Sequence, residues 1–261
     1  MEPAEVLLAP TSAPARVLPE RGGTHVWFGD GHGAVLGQDF PLLSEDERDR
    51  CLRFSRDEDR RRFAAAWAAV RRTLGAYADL PPEEVRFRRS GSAGRGTLHH
   101  QRLLLAAPSS PRVFLSVARS EELWLLGLSV GDPIGVDLEH VRDFDTEGLI
   151  DRCLAPEEQR EVRALPPEAR GTAFVRAWTR KEALIKAAGL PLTTAPHRLL
   201  VHPGRPGPVR VDLHERDRTA PDSWTVHDLP RYGPVWAALA RPLAGTGSVL
   251  VHDTMTGENR A

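Results

Sequence analysis

The chain has 261 residues and a mass of 28.8 kDa, which predicts one large domain or two modest ones. Hydrophobic residues make up 41% and charged residues 27%, which excludes a collagen-like, coiled-coil or wholly disordered chain. The net charge of −1 gives no overall attraction to nucleic acid or anionic membranes, and no apolar run reaches the roughly 18 residues of a membrane span. Only two cysteines, Cys51 and Cys153, and an N-terminus without a basic segment predict a cytoplasmic protein.

The first half of the chain is predicted to combine one long helix with several strands. Residues 1–20 are rich in Ala and Pro and are expected to form a flexible arm. Ser44 followed by Glu47 is a capping-box pattern, which begins a short helix that ends at Phe54. Helical spacing of apolar residues predicts a long helix over 57–78. Its buried stripe is expected to consist of Phe63, Ala66, Trp67, Val70 and Leu74. Strands are expected at 24–28, 102–106, 113–117 and 123–130, with the rest of 88–112 as loop.

The second half is predicted to be helical first and then rich in strands. A turn at 131–133 leads into a strand at 134–139. Pro156 is followed by two acids and begins a helix, and a longer helix from about residue 168 or 172 ends at Gly189. Short strands are expected at 198–201, 209–213, 223–229 and 235–240, and the tail 254–261 is expected to fray.

This element order predicts an α+β fold with two lobes, each built from one long helix and several strands. The dipeptide Ala-Trp occurs in both helices, at 66–67 and 177–178, which is a weak sign of pseudo-symmetry. The lobes are predicted to span 21–131 and 132–253, with the functional site in the cleft between them.

Two acids on one strand are the first sign of chemistry. In the sequence GVDLE, Asp137 and Glu139 project from one face because side chains alternate along a strand. Two carboxylates about 7 Å apart along a buried strand repel each other unless a cation lies between them. Mg²⁺ favours such carboxylates together with water and phosphate oxygens. An edge strand with two solvated acids explains this segment alone about equally well.

The lysines of the chain are confined to one predicted helix. Of 35 basic residues only Lys181 and Lys186 are lysines, and the other 33 are arginines. Trp178, Glu182 and Lys186 are spaced four residues apart and share one helix face, which by itself indicates an ordinary surface Glu–Lys pair. The scarcity of lysine and the acidic strand upstream favour phosphoryl chemistry instead. In such a unit a metal neutralises phosphate charge, a carboxylate takes a proton from a hydroxyl, and an ammonium stabilises the leaving phosphate.

The segments GVDLE and WTRKEALIK together resemble the two signature motifs of the 4′-phosphopantetheinyl transferases. The chain length and the motif spacing are similar to the larger, single-chain, surfactin-type class, and the similarity runs from about Leu43 to Val201. The resemblance implies the two-lobed fold of that family. It also implies an enzyme of the holo-carrier-protein synthase type, which transfers the phosphopantetheine arm of coenzyme A, its co-substrate, to a serine of an apo acyl or peptidyl carrier protein. The second product is adenosine 3′,5′-bisphosphate. The implied cofactor is Mg²⁺, with Mn²⁺ as a substitute, and the implied enzyme is a monomer without a nucleic-acid or membrane partner.

The resemblance also implies roles for individual residues. Asp137, Glu139 and Glu182 correspond to the magnesium-binding acids, and Glu182 also corresponds to the residue credited with activating the carrier serine. Lys186 corresponds to a catalytic lysine that assists the departing nucleotide phosphate. The positions that correspond to coenzyme A contacts are Arg50, Arg62, Gly94, Arg95, Arg119, Lys181 and Lys186.

Two of these positions depart from the family's pattern. Gly94 and Arg95 are followed by Gly96, where the family usually has Gly-Lys-Pro, so the charge is kept but the loop changes. Arg119 stands where many relatives have a histidine that touches the pyrophosphate. A guanidinium stays charged at every working pH and can bind phosphate with two hydrogen bonds. A solvated loop arginine is the alternative interpretation of Arg119.

A metal-dependent, nucleic-acid-binding or nuclease-like protein is the main alternative function. The arginines at 60–62 and 71–72 would line a face of the long helix that follows phosphates. Against this, nuclease cores commonly carry Glu and Lys two apart on a strand, whereas Glu182 and Lys186 are four apart on a helix. A binding module without turnover is a third possibility, against which the complete set of acids and lysine argues.

Overall fold

Two β-sheets packed face to face, each with a long helix against its other face, form the α+β fold of the chain. The computed structural model describes residues 6–8, 17–31, 35–90, 102–106, 111–142, 147–190, 194–213, 221–230, 232–245 and 247–255. The helices are α1 (Leu36–Asp39), α2 (Glu45–Leu52), α3 (Asp57–Ala78), α4 (Glu147–Cys153), α5 (Pro156–Arg163) and α6 (Pro167–Ala188). The strands are β1 (Val6–Leu8), β2 (Thr24–Asp30), β3 (Phe87–Ser90), β4 (Arg102–Leu105), β5 (Val113–Ser120), β6 (Leu123–Val130), β7 (Gly135–His140), β8 (Val209–Asp212), β9 (Ser223–Asp228), β10 (Val235–Pro242) and β11 (Val249–Asp253).

Seven strands form the first sheet, in the order β1-β11-β2-β6-β5-β4-β3, and four form the second, in the order β7-β10-β9-β8. β11 pairs in parallel with both β1 and β2, whereas the other pairs of named strands are antiparallel. A strand from the end of the chain therefore lies in the sheet otherwise built from its first half. β1, within the arm expected over 1–20, is also paired into this sheet.

Alternation along the strands divides the apolar side chains into three buried layers. On one face of the first sheet, Trp27 and Leu126 pack against α3 residues such as Phe63 and Leu74. The opposite faces of both sheets enclose a second layer that includes Val26, Phe114, Leu125, Val136 and Leu239. The third layer lies between the second sheet and α6 and includes Trp224, Ala238 and Leu184. β7 is thus buried between the first sheet and α6.

Local sequence signals account for the ends of several helices. Ser44 and Glu47 form the expected capping box at the start of α2: the Glu47 N–H donates to Ser44 Oγ (3.4 Å) and the Ser44 N–H to Glu47 Oε2 (2.8 Å). The prediction of α3 over 57–78 is confirmed, and its expected stripe is buried. α6 ends where Gly189 adopts a left-handed φ of 67°, a conformation that glycine reaches without steric cost.

The strand predicted at 198–201 is wrong, because side chains satisfy the backbone groups that a sheet would have paired. A 3₁₀ turn occupies Pro196–Arg198. The Val201 N–H donates to Glu158 Oε1 (2.7 Å), and the Val201 carbonyl accepts from Arg180 (2.8 Å). α1, α4, β3 and β11 were not predicted, and β3 lies where 88–112 was expected to begin as loop.

Candidate active site

Gly135 allows β7 and α6 to touch backbone to backbone. A Cβ atom at this position would lie 2.0 Å from the carbonyl oxygen of Ala183 and 2.4 Å from the backbone nitrogen of Ala187. Residues 135, 137 and 139 share the strand face that meets the helix, since alternate residues point the same way. The close approach therefore brings Asp137 and Glu139 to the part of α6 that carries the signature acid and lysine.

Lys186 and Asp137 form an ion pair across this contact. The Lys186 ammonium lies 2.6 Å from Asp137 Oδ1 and donates a second hydrogen bond to the Val136 carbonyl (3.2 Å). Asp137 Oδ2 is buried and has no hydrogen-bond partner among the residues that the structure describes. Burial raises the pKa of Asp137, and the charge of Lys186 opposes that rise. One buried carboxylate oxygen is thus left without a donor or cation.

Glu139 and Glu182 complete a set of three mutually repelling carboxylates. Burial, followed by the charge of Asp137, raises the pKa of Glu139 to about 7. The same two causes raise the pKa of Glu182 to about 7. Three acids from two elements, one with an orphaned oxygen, offer the oxygen donors that a hard divalent cation such as Mg²⁺ prefers. The residues present fit such a cation.

Ser120 contacts Glu139 and His140 contacts Ser120, and the sequence singled out neither residue. Ser120 Oγ, at the end of β5, lies 3.4 Å from Glu139 Oε2. The ring Nδ1 of His140 lies 3.1 Å from the same hydroxyl. The sequence signal was their position beside Arg119 and Glu139, but only the packing of β5 against β7 shows that they meet.

Arg50 and Arg119 lie around one aromatic ring, as two of the predicted coenzyme A contacts. Their guanidinium carbons lie 5.6 and 5.0 Å from the centroid of the Phe63 ring. Burial, followed by the charge of Arg50, lowers the pKa of Arg119 to about 10. Two cations held this close attract an anion, and phosphate is a favourable one for guanidinium groups. Arg119 and Ser120 are neighbours with opposite side-chain directions, so this cation pair and the acids lie on the two sides of the same strand end.

Arg62, Gly94 and Arg95 were also predicted to contact coenzyme A. Arg62 pairs with Glu58 (2.7 Å) and more distantly with Glu122 (3.7 Å). Gly94 and Arg95 lie outside the described residues.

Lys181 was expected to contact coenzyme A, but its side chain has no exposed surface. Its ammonium lies 2.5 Å from Glu158 Oε2 and donates to the carbonyls of Pro196 (2.9 Å) and Leu199 (2.6 Å). An ammonium has three hydrogens, and these three partners satisfy them. The structure therefore gives Lys181 a structural environment instead of a place at the site.

A further group of possible metal ligands lies at the turn between β5 and β6. Ligand atoms of Glu121, Glu122 and His140 lie within 4.8 Å of one another. Arg142 is 2.8 Å from Glu121, and Arg62 is 3.7 Å from Glu122. Arginines already neutralise this group.

Comparisons with known proteins show which family the segment around this site resembles. Residues 133–240 match the family model described as the 4′-phosphopantetheinyl transferase superfamily. Over these residues the chain is similar to that superfamily. The 4′-phosphopantetheinyl transferase HetI of Nostoc sp. is 36% identical over 148 residues, which cover 56% of this chain and 60% of HetI. A Synechocystis relative is 34% identical over 149 residues, 57% of its length. The 4′-phosphopantetheinyl transferase Sfp of Bacillus subtilis is 23% identical over 172 residues, 66% of this chain and 71% of Sfp. The matched segments thus span less than two thirds of the first two relatives.

The part that matches the 4′-phosphopantetheinyl transferase superfamily contains the acids and Lys186 but neither Arg50 nor Arg119. The comparisons give no support to the nucleic-acid alternative. Most of the arginines at 60–62 and 71–72, which that alternative needs for binding nucleic-acid phosphates, form ion pairs with acids. The pairs are Arg60–Asp57, Arg62–Glu58, Arg71–Glu47 and Arg72–Asp39. None of the helices in the described part of the chain has the length and apolar character that crossing a membrane requires.

Proposed function

We propose that this chain is a 4′-phosphopantetheinyl transferase, which transfers the 4′-phosphopantetheine group of coenzyme A to a serine of an apo acyl or peptidyl carrier protein. The observation that carries the proposal is the meeting of Asp137, Glu139, Glu182 and Lys186 where β7 touches α6. Acids with raised pKa values and a cation in one place are typical of a functional site.

Glu182 is the proposed base. Without a bound metal, burial and the charge of Asp137 raise the pKa of Glu182 to about 7, and we assign this carboxylate, which lies beside Lys186, to take the proton of the carrier hydroxyl. The serine oxygen then bonds to the phosphorus that carries the pantetheine arm. The bond from this phosphorus to the bridging oxygen breaks, and its electron pair leaves with adenosine 3′,5′-bisphosphate.

Lys186 is the proposed stabiliser of the leaving group. Its ammonium is anchored beside Asp137 and its side chain is still 12% exposed, so it can meet negative charge that develops on the leaving phosphate. Asp137, Glu139 and Glu182 would hold Mg²⁺, or Mn²⁺ in its place, and the metal would neutralise charge on the pyrophosphate.

Arg50 and Arg119 are the proposed contacts to the phosphates of coenzyme A. Support comes from their convergence on Phe63 and from the lowered pKa of Arg119, which an incoming anion would reverse. Arg62, Gly94 and Arg95 stay predictions for the same co-substrate.

The larger organisation is also a proposal. Two pseudo-symmetric lobes, over 21–131 and 132–253, would enclose the cleft. β11 belongs to the second of these ranges but pairs with β2 in the sheet of the first lobe. One chain would supply both lobes, so we propose a monomer. The two free cysteines, Cys51 and Cys153, favour a reducing compartment, and we propose the cytoplasm.

Intact-mass measurement of carrier proteins tests this function. The chain is incubated with coenzyme A, Mg²⁺ and apo-carriers of fatty-acid, polyketide or nonribosomal-peptide type. We expect at least one carrier to gain one phosphopantetheine, excess EDTA to abolish the gain, and Mg²⁺ or Mn²⁺ to restore it.

A matched pair of variants locates the activity. Asp137→Asn should abolish transfer, whereas Asp212→Asn, which changes a partly exposed aspartate of the same sheet, should not. Full activity of Asp137→Asn, or no modified carrier with any of the three types, would contradict the proposal.

A further inference from the structure

β7 is the edge strand of its sheet, and side chains from β5 satisfy part of its open edge. β7 pairs only with β10 in the described strand order. Along the edge of β7 that does not pair with β10, Ser116 Oγ accepts a hydrogen bond from the Val136 N–H (2.9 Å). Ser120 lies four residues further along β5 and therefore faces the same way. The first sheet thus supports, through serines, the strand that carries Asp137 and Glu139.

The contact of Ser120 with Glu139 has a defined direction. A carboxylate only accepts, so the Ser120 hydroxyl donates its proton to Glu139 Oε2 (3.4 Å). The serine oxygen is then free to accept from His140 Nδ1, 3.1 Å away. Ser120 is buried and the His140 side chain is only 12% exposed. The result is a short chain of hydrogen bonds, from His140 through Ser120 to Glu139.

We propose that Ser120 and His140 are positioning residues that hold the Glu139 carboxylate in its metal-binding orientation. The inference rests on the proposed function, because it gives the acids a divalent cation to bind. Residues that hydrogen-bond to a metal ligand fix its orientation, and their loss typically weakens metal affinity roughly 10- to 100-fold. The bond here is long, which places the expected effect at the lower end of this range. Neither residue needs to touch the metal.

Mn²⁺ binding to the full chain, without coenzyme A or carrier, tests the inference. The electron paramagnetic resonance signal of free Mn²⁺ reports binding directly. We expect Ser120→Ala and His140→Leu to weaken Mn²⁺ binding about tenfold. His140→Asn keeps an N–H donor near the serine and should restore most of the affinity. Ser129→Ala is the matched control, since Ser129 is a buried strand serine whose hydroxyl has no partner among the described residues.

The outcomes separate this inference from its alternatives. Ser120→Ala with parental Mn²⁺ affinity would overturn it, whatever His140→Leu does. A loss in His140→Leu alone would make His140 a ligand together with Glu121 and Glu122 instead of a positioning residue. Thermal unfolding shows whether each variant folds; should His140→Leu fail to fold, Ser120→Ala still decides. If the parent modifies carriers while Ser120→Ala binds Mn²⁺ normally, only this inference fails. If the variants lose Mn²⁺ affinity but no carrier is modified, only the proposed function fails.

Discussion

Lys181 and Lys186 lie five residues apart on α6, yet their ammonium groups have opposite environments. Lys181 has no exposed surface, and Glu158 and two backbone carbonyls use all of its hydrogens. Lys186 is partly exposed and faces Asp137, whose second oxygen is without a partner among the described residues. Both ion pairs join α6 to another element, but only the second leaves room for further ligands.

This difference shows how to separate a structural charge from a functional one. Glu158 is as enclosed as its partner: besides Lys181 it accepts from the N–H groups of Ala155 (2.9 Å) and Val201 (2.7 Å). Every polar atom of this pair is directed at the protein itself. The Lys186–Asp137 pair instead lies among other acids and has unused capacity, as expected of groups that act on something outside the chain.

The largest expected effect is on stability, in Lys181→Met. Removing the ammonium leaves the fully buried Glu158 carboxylate without its cation, and breaking a buried pair from one side costs roughly 3–5 kcal/mol. We expect urea denaturation to show a loss of this size. Adding Glu158→Gln should recover part of it, because the amide carries no charge, but its NH2 group cannot accept one of the two hydrogen bonds that the Ala155 and Val201 N–H groups donate to Glu158. An unfolding free energy within about 1 kcal/mol of the parent value would show that the pair is not structural.

Lys186→Met should reverse this pattern and reduce turnover far more than stability. Lys186 is partly exposed and Asp137 retains a little exposed surface, unlike the fully buried pair of Lys181 and Glu158, so water can partly replace the ammonium and the cost to folding is smaller than in Lys181→Met. Loss of one charge stabiliser in a transition state lowers kcat roughly 100- to 1,000-fold. Steady-state transfer assays and calorimetric titration with coenzyme A separate the two effects. Parental kcat with only a raised KM would reduce Lys186 to a binding charge.

The sequence singled out Asp137 and Lys186, but it did not predict that they pair, nor that Lys181 pairs with Glu158. Strand alternation placed Asp137 and Glu139 on one face of a strand, and helical spacing placed Glu182 and Lys186 on one face of a helix, because both patterns are local. That this strand and this helix share a site was implied by the resemblance to the 4′-phosphopantetheinyl transferases. The enclosure of Lys181 depends on Glu158, from a different helix, and on the carbonyls of Pro196 and Leu199, of which the second lies in the segment that was expected to be a strand. The contact of Ser120 with Glu139 likewise depends on how two sheets stack. Such partners are set by packing, which no local spacing encodes.

Gly135→Ala tests whether the pair of Lys186 with Asp137 depends on the close approach of β7 to α6. The new methyl group would meet backbone atoms of Ala183 and Ala187, which cannot rotate away as a side chain would. Overpacking of this kind costs roughly 1–3 kcal/mol, and we expect the upper end of that range. Gly171→Ala is the control: Gly171 lies on α6, the helix that Gly135 contacts, and a Cβ there would meet nothing within 4 Å. Denaturation and Mn²⁺ binding should both be impaired in the first variant and unchanged or improved in the second. Normal behaviour of Gly135→Ala would show that backbone contact does not set the site.

Arg50 and Arg119, the two cations around Phe63, lie apart from the acids and from both lysine pairs. Changes to Arg119 should give the smallest effect. The pKa of Arg119, lowered to about 10, still leaves the guanidinium charged across the pH range of roughly 6 to 8.5. Coenzyme A affinity should therefore be nearly constant over that range when metal is saturating. In Arg119→His the charge is lost as pH rises through a pKa of about 6.5, so affinity should fall with rising pH. Arg119→Ala should weaken binding by roughly 1.5–3 kcal/mol, the contribution of a hydrogen bond to a charged group. Calorimetric titrations of the three proteins at several pH values measure all of this. Unchanged affinity in Arg119→Ala would show that this arginine does not touch the co-substrate, and that the coenzyme A phosphates bind elsewhere.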